Sequence, residues 1–145
     1  SDGDQEFFFL SGFYSSADAD SSSGIAKLLQ GQISFVGAAS NFEGQGNVMD
    51  LASKWDGSLF GYRSWGNFSE LAEYKTYNAD QKRQWRIMLQ TGQNFAFILN
   101  QNIAWLYTAT AASGHSELHH FDTESAELEW KAELDFTVVG AAGLY

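Results

Sequence analysis

Three groups of residues in this 145-residue chain have types and spacing suited to chemistry. The first is Asp18-x-Asp20-x-Ser22, whose alternate side-chain oxygens match ligand positions 1, 3 and 5 of a helix–loop–helix calcium loop. The glycine such a loop needs at position 6 is Ser23 here, with Gly24 one residue late, and position 12 is Leu29 in place of a bidentate Glu. The pattern is therefore no EF-hand. Asp18 and Asp20, helped by Asp2 and Asp4, could still hold a hard cation, so the expectation is no cofactor, with calcium the candidate exception at this loop. The plainer reading of the same residues is a solvated acidic loop.

The second group is His115-x-Glu117-x-His119. On a strand these three point to one side, and two imidazoles with a carboxylate are the ligand set of open iron and zinc centres. One strand rarely completes a metal site, so a polar strand end that gains charge as pH falls is the competing reading. The third group is aromatic: Trp55-Asp56-Gly57, Phe60, Tyr62-Arg63, Trp65 and Asn67. Sugar rings present apolar C–H faces that stack on Trp and Tyr, while Asp, Asn and Arg hold hydroxyls. Trp55, Asp56, Tyr62, Arg63, Trp65 and Asn67 are thus the candidate ligand-binding residues. At strand spacing Phe60 and Tyr62 share one face, and Arg63 and Trp65 the other, which predicts that one of the two sets is exposed. The alternative is that these rings simply fill the core.

Catalytic patterns are weak by comparison. There is no G-x-S-x-G elbow, and Gly44-x-Gly46 lacks the third glycine of a dinucleotide fingerprint. Glu127, Glu129, Glu133 and Asp135 could supply a pair of carboxylates for glycoside hydrolysis. At strand spacing, however, they lie together on one face, which reads as solvation and edge protection. The sequence therefore points away from an enzyme.

The elements that would carry these groups are mostly short strands. Glu6 to Tyr14 reads as an aromatic strand, and Ser15 to Gly24 as a surface loop of small and acidic residues. Ile25 to Val36 ends in a strand with period-2 alternation, and Val48 to Phe68 holds two or more strands broken at the hairpin dipeptide Asp56-Gly57. Ser69 to Lys75 is the one plausible helix, since Ser69 could cap it and Glu70 and Glu73 fall in its first turn. A strand suits that segment nearly as well. Phe95–Leu99 and Ile103–Tyr107 form a hairpin about Asn100-Gln101-Asn102, and His115 to Phe121 is another strand. From Leu128 to Val138 apolar and polar residues alternate strictly, which predicts a long half-buried strand with one acidic face in water. About eight to ten strands and at most one short helix give an all-β domain spanning 1–145, an antiparallel sandwich (jelly-roll-like) or a small barrel.

Composition narrows the function classes. With no cysteine, disulfide scaffolds, thiolate zinc sites and cysteine nucleophiles are excluded. Eight Lys and Arg against eighteen Asp and Glu give a net charge of −10, opposite to what phosphate contacts need, so no nucleic-acid partner is expected. A hydrophobic content of 44% argues against disorder, and no apolar run approaches the length of a membrane span. The small acidic opening Ser1-Asp2-Gly3-Asp4 resembles a chain freed from a signal peptide. Only 18% of residues are charged, which also suits an exported, extracellular or cell-surface bacterial protein. There is no proline either, so edge strands lack one of the usual blocks to strand addition.

Residues 83–99, Arg83-Gln84-Trp85-Arg86-Ile87-Met88-Leu89-Gln90-Thr91-Gly92-Gln93-Asn94-Phe95-Ala96-Phe97-Ile98-Leu99, resemble a segment of secreted bacterial proteins of the PEP-CTERM sorting class. The Pro-Glu-Pro tail, membrane helix and basic residues that define the class do not occur in these 145 residues. The resemblance implies an exported protein associated with exopolysaccharide or biofilm matrix, and transfers no functional residue. The expectation is thus a non-enzymatic exported β-sandwich that binds polysaccharide or forms part of an extracellular matrix. Its partners would be a polysaccharide or further copies of itself. The alternatives are a self-assembling subunit of a filament or surface layer, and a small barrel holding a hydrophobic ligand among its Phe residues.

Overall fold

The computed structural model describes residues 7–16, 19–38, 50–54, 56–65, 68–89, 95–109 and 114–142, and in them strand follows strand with no helix. The first three strands are β1 (Phe7–Ser16), β2 (Ala19–Leu29) and β3 (Gln32–Ala38). Next come β4 (Asp50–Ser53), β5 (Leu59–Trp65), β6 (Phe68–Tyr74) and β7 (Gln81–Ile87). The last four are β8 (Phe95–Asn100), β9 (Ile103–Ala109), β10 (Ser116–Asp122) and β11 (Glu127–Glu133). They pair in three antiparallel sheets, ordered β1-β2-β3, β4-β5-β6-β7 and β11-β10-β9-β8. Each sheet is a meander, because within it strands consecutive along the chain lie side by side. Gln30 and Gly31 both adopt positive φ between β2 and β3, the conformation that matches strand twist in a two-residue hairpin. Asp56-Gly57 turns the chain between β4 and β5 as its composition implies, with Gly57 at φ +88° and its N–H donated to the Lys54 carbonyl.

The β4–β7 sheet lies in the middle of a layered sandwich, and no barrel closes among the described residues. One of its faces packs Phe60, Tyr62, Leu71 and Ile87 against Phe97, Leu99, Leu106 and Phe121 of the β8–β11 sheet. This interface is aromatic: the Phe60 and Trp85 rings stack at 6.4 Å, and Tyr62 meets Phe95 and Phe97 at 5.7 Å each. The other face packs Leu59, Ala72, Tyr74 and Ala79 around Ile25 of β2, with Phe9 of β1 and Val36 of β3 at the margin. Gly37 lets β3 come close to the chain between β6 and β7, since a Cβ there would stand 2.0 Å from the Asn78 carbonyl oxygen.

Several expectations need correcting. The segment from Ser69 to Tyr74 is strand, not helix: β6 lies between β5 and β7, and every residue from Ser69 to Tyr74 is buried. Its two acids, which suggested a helix first turn, are instead paired with cations on neighbouring strands, Glu70 with Arg63 and Glu73 with Lys82 and Arg83. Most of the supposed loop at 15–24 belongs to the β1–β2 hairpin, where Gly12 faces Gly24 and Tyr14 faces Ser22. Pairing with an aromatic strand overrides the weak β preference of serine and glycine. The final alternating stretch forms a shorter and more exposed strand than expected. β11 ends at Glu133, is exposed at every residue except Ala132, and gives way to a segment that bonds back to β10 through Leu134 N–H to Ser116 O. Alternation assigns residues to two faces, but it does not supply a layer to cover either of them.

Candidate functional site

The aromatic segment singled out by sequence divides between interior and surface. Tyr62 and Arg63 are both fully buried, so neither forms part of a surface platform. At Phe60, Tyr62 and Arg63 neither face of this segment is exposed, because β5 is an inner strand of the middle layer. Burial raises the Tyr62 phenol well above its usual range. Arg63 lies directly across from Glu70, with Nη2 3.1 Å and Nε 3.2 Å from the same carboxylate oxygen, and Nη2 also donates to the Tyr74 hydroxyl at 2.6 Å. Gln81 Nε2 donates to that Glu70 oxygen at 3.1 Å. Burial likewise raises the Tyr74 phenol. These residues form a structural lock between β5, β6 and β7, with no face open to a ligand. Trp65 ends β5 with its backbone paired to Phe68, while Trp55 and Asn67 lie outside the described residues.

Asp56 does reach the surface, and it opens a groove of about 310 Å³ on the turn side of the middle sheet. The groove is lined by Asp56, Ser58, Glu73, Lys75, Tyr77 and Lys82, with Gly57, Tyr74 and Thr76 between them. Asp56 accepts hydrogen bonds from the Ser58 hydroxyl at 2.6 Å and the Ser58 N–H at 2.9 Å, which hold its carboxyl below the usual carboxylate range. Glu73 is gripped by Arg83 Nε and Nη2, both at 2.9 Å, and by Lys82 Nζ at 3.3 Å. The Tyr77 ring is 74% exposed, with Lys75 Nζ 6.0 Å from its centroid. The groove therefore combines an open aromatic ring, fixed carboxylates and ammonium donors, which can receive an apolar ring face together with hydroxyl or carboxylate groups. Tyr77, Lys75 and Lys82 were not among the sequence candidates. Their only sequence signal is the turn Asn78-Ala79-Asp80 beside them, which brings the ends of β6 and β7 together at Lys75 N–H to Asp80 O, 2.8 Å.

The other candidates fare differently. His119 Nε2 and Glu117 Oε2 meet at 3.1 Å, but His115 lies in the exposed bend before β10. Among the described residues no three His, Asp or Glu side chains gather as a metal-binding group. His119 is buried, and its Nδ1 has no hydrogen-bond partner. Asp18 lies outside the described residues, and Asp20 is a strand residue of β2. A second cleft, of about 300 Å³, runs between β1 and β4 beside Phe8, Phe9, Leu51 and Leu59. It is an apolar crevice between sheets, unlike the enclosed interior of a small barrel. No helix among the described residues is long and apolar enough to cross a membrane. No protein-family model matches the chain, and no curated protein is similar to it in sequence.

Proposed function

We propose that this chain is an exported, non-enzymatic β-sandwich that binds polysaccharide in an extracellular matrix, using the groove between Asp56 and Tyr77. The observation that carries the reading is the exposed Tyr77 ring beside an acid held ionised and two lysines in a groove of about 310 Å³. An exposed tyrosine offers stacking area at low entropic cost, because its ring has few rotatable bonds. Binding suits the groove better than hydrolysis. A glycosidase needs a carboxylic acid kept protonated near neutrality, and here Asp56 is shifted the opposite way while Glu73 is committed to two cations. The resemblance of residues 83–99 to exported matrix-associated proteins points in the same direction.

Binding to a panel of soluble and insoluble polysaccharides tests the reading. Wild-type protein should be retained by at least one polymer, and Tyr77→Ala should weaken retention roughly tenfold or more while leaving the melting temperature unchanged. Retention by no polymer, or equal retention of the variant, overturns it.

A further inference from the structure

The β1-β2-β3 sheet turns an apolar face away from the core. Two rows cross it: Phe8, Leu28 and Ile33 stand in register, and so do Leu10, Ala26 and Phe35. Phe8 is 61%, Leu10 39%, Ile33 69% and Phe35 59% exposed. Val36 packs toward the core while its neighbour Phe35 stays on the outer face, and the register shift beside Ala26 sets Gly37 opposite Ile25. All six residues in the two rows are apolar, and they lie on three adjacent strands of one sheet.

Charge identifies the occupant. The chain carries −10, yet β1 and β3 contain no charged residue, and β2 contains one acid and one base, Asp20 and Lys27. The sheet is therefore neutral in a strongly acidic molecule. A basic partner would be drawn to the acidic surfaces elsewhere, whereas two acidic copies can approach closely only where neither presents charge. Face-to-face packing about a twofold axis brings each apolar row against its counterpart, as in the two sheets of a sandwich. At the exposures of these four side chains, and about 150–250 Å² for a large apolar group, the face offers on the order of 400 Å² per copy. That is about half of the roughly 800 Å² per partner of a standard stable interface, so the association is weak and concentration-dependent.

We propose that two copies of this chain associate through the outer faces of their β1-β2-β3 sheets. This surface is separate from the groove at Tyr77 and does not depend on polysaccharide binding. Sedimentation velocity on the full chain, over rising protein concentration at low and high salt, tests it. Wild-type protein should move from 16.1 kDa toward twice that mass as concentration rises. Added salt should strengthen the association, because it screens repulsion between two acidic molecules. Ile33→Lys and Phe35→Lys place a charge in the contact and should weaken it roughly tenfold or more. Both side chains are more than half exposed, so melting should change little; if either variant melts early, Ile33→Ser or Phe35→Ser replaces it. Trp130→Lys on β11 should dimerise like wild type. A monomer at every concentration and salt overturns the proposal, as does a β3 variant that dimerises like wild type. So does a monomer that instead co-sediments with phosphatidylcholine vesicles, which would assign the face to lipid.

Discussion

The two outer sheets expose similar hydrophobic groups and differ in what lies between them. β3 exposes Ile33 and Phe35, and β11 exposes Leu128 and Trp130. Along β11 the alternate positions are Glu127, Glu129, Lys131 and Glu133, so a second strand pairing at that edge would meet a row of charges. Along β3 the alternate positions are Gln32, Ser34 and Val36, none charged. Exposed hydrophobicity alone therefore does not distinguish a guarded strand from an adhesive one. The alternate residues do so for pairing at a strand edge, where β11 presents a row of charges and β3 presents none.

The two sheets are also docked onto the middle layer by different means. The β8–β11 side rests on aromatic packing, and the β1–β3 side on a smaller cluster around Ile25 beside the buried Arg63–Glu70–Tyr74 lock. The largest test of that contrast is Arg63→Met. Removing the guanidinium leaves a buried carboxylate without its cation and should cost about 3–5 kcal/mol. Hydrogen exchange should then show the β1–β3 sheet opening before β8–β11, since Arg63 shares the sheet face of Leu59, Ala72 and Tyr74 that meets Ile25. The double variant Arg63→Met with Glu70→Met should recover much of the loss, because two apolar groups of similar volume leave no uncompensated charge. Uniform loss of protection in both sheets would erase the distinction.

Strand content was legible in the sequence because turn residues and period-2 alternation are local signals. The hairpin at Gln101 and the turn at Asp56-Gly57 lie where those residues imply. The layering was not legible. Whether β5 is covered on one side or two depends on which sheets pack against it, and nothing in the order of Phe60, Tyr62 and Arg63 records that. Arg63 reads as a ligand-binding group because arginine is rarely buried without a partner, and the sequence leaves its partner, Glu70, on a segment that suits helix or strand. Of the proposed contact residues only Asp56 both lies at the described surface and lines the groove. A lone tyrosine before a turn carries no signal of its own, and Tyr77 lines a groove only because β6 and β7 bring Lys75 and Lys82 beside it.

A gentler perturbation sharpens the contrast between the outer strands. Replacing Glu127, Glu129 and Glu133 with Gln and Lys131 with Gln gives β11 the neutral character of β3 while keeping side-chain size. Each side chain is exposed, so the fold should tolerate the change within about 0.5 kcal/mol. Sedimentation should then show a second mode of association that survives Ile33→Lys. If the neutralised strand leaves the protein as monomeric as Ile33→Lys alone, charge on alternate residues is not what separates the two strands.

The smallest expected effect concerns the seam between the middle sheet and β8. Asp50 of β4 accepts the Phe97 N–H at 3.3 Å, and burial raises its carboxyl above the usual range despite that bond and a second from the Leu51 backbone. For an acid raised in the folded state, the favourable contribution is complete below the unfolded pKa and is lost as pH rises through the folded pKa. At neutral pH the ionised carboxylate is therefore a cost. Asp50→Asn keeps an oxygen for the Phe97 N–H and removes the charge, so it should melt slightly higher than wild type at pH 7. That advantage should shrink as the pH falls toward and below the ordinary carboxylate value of 3.8, where wild-type Asp50 becomes neutral as well. Thermal melts of the two proteins across that range check the sign. An Asp50→Asn advantage that grows in acid would mean that the Asp50 carboxylate stabilises the seam, making it a charged contact like the Arg63 lock on the other side of the middle sheet.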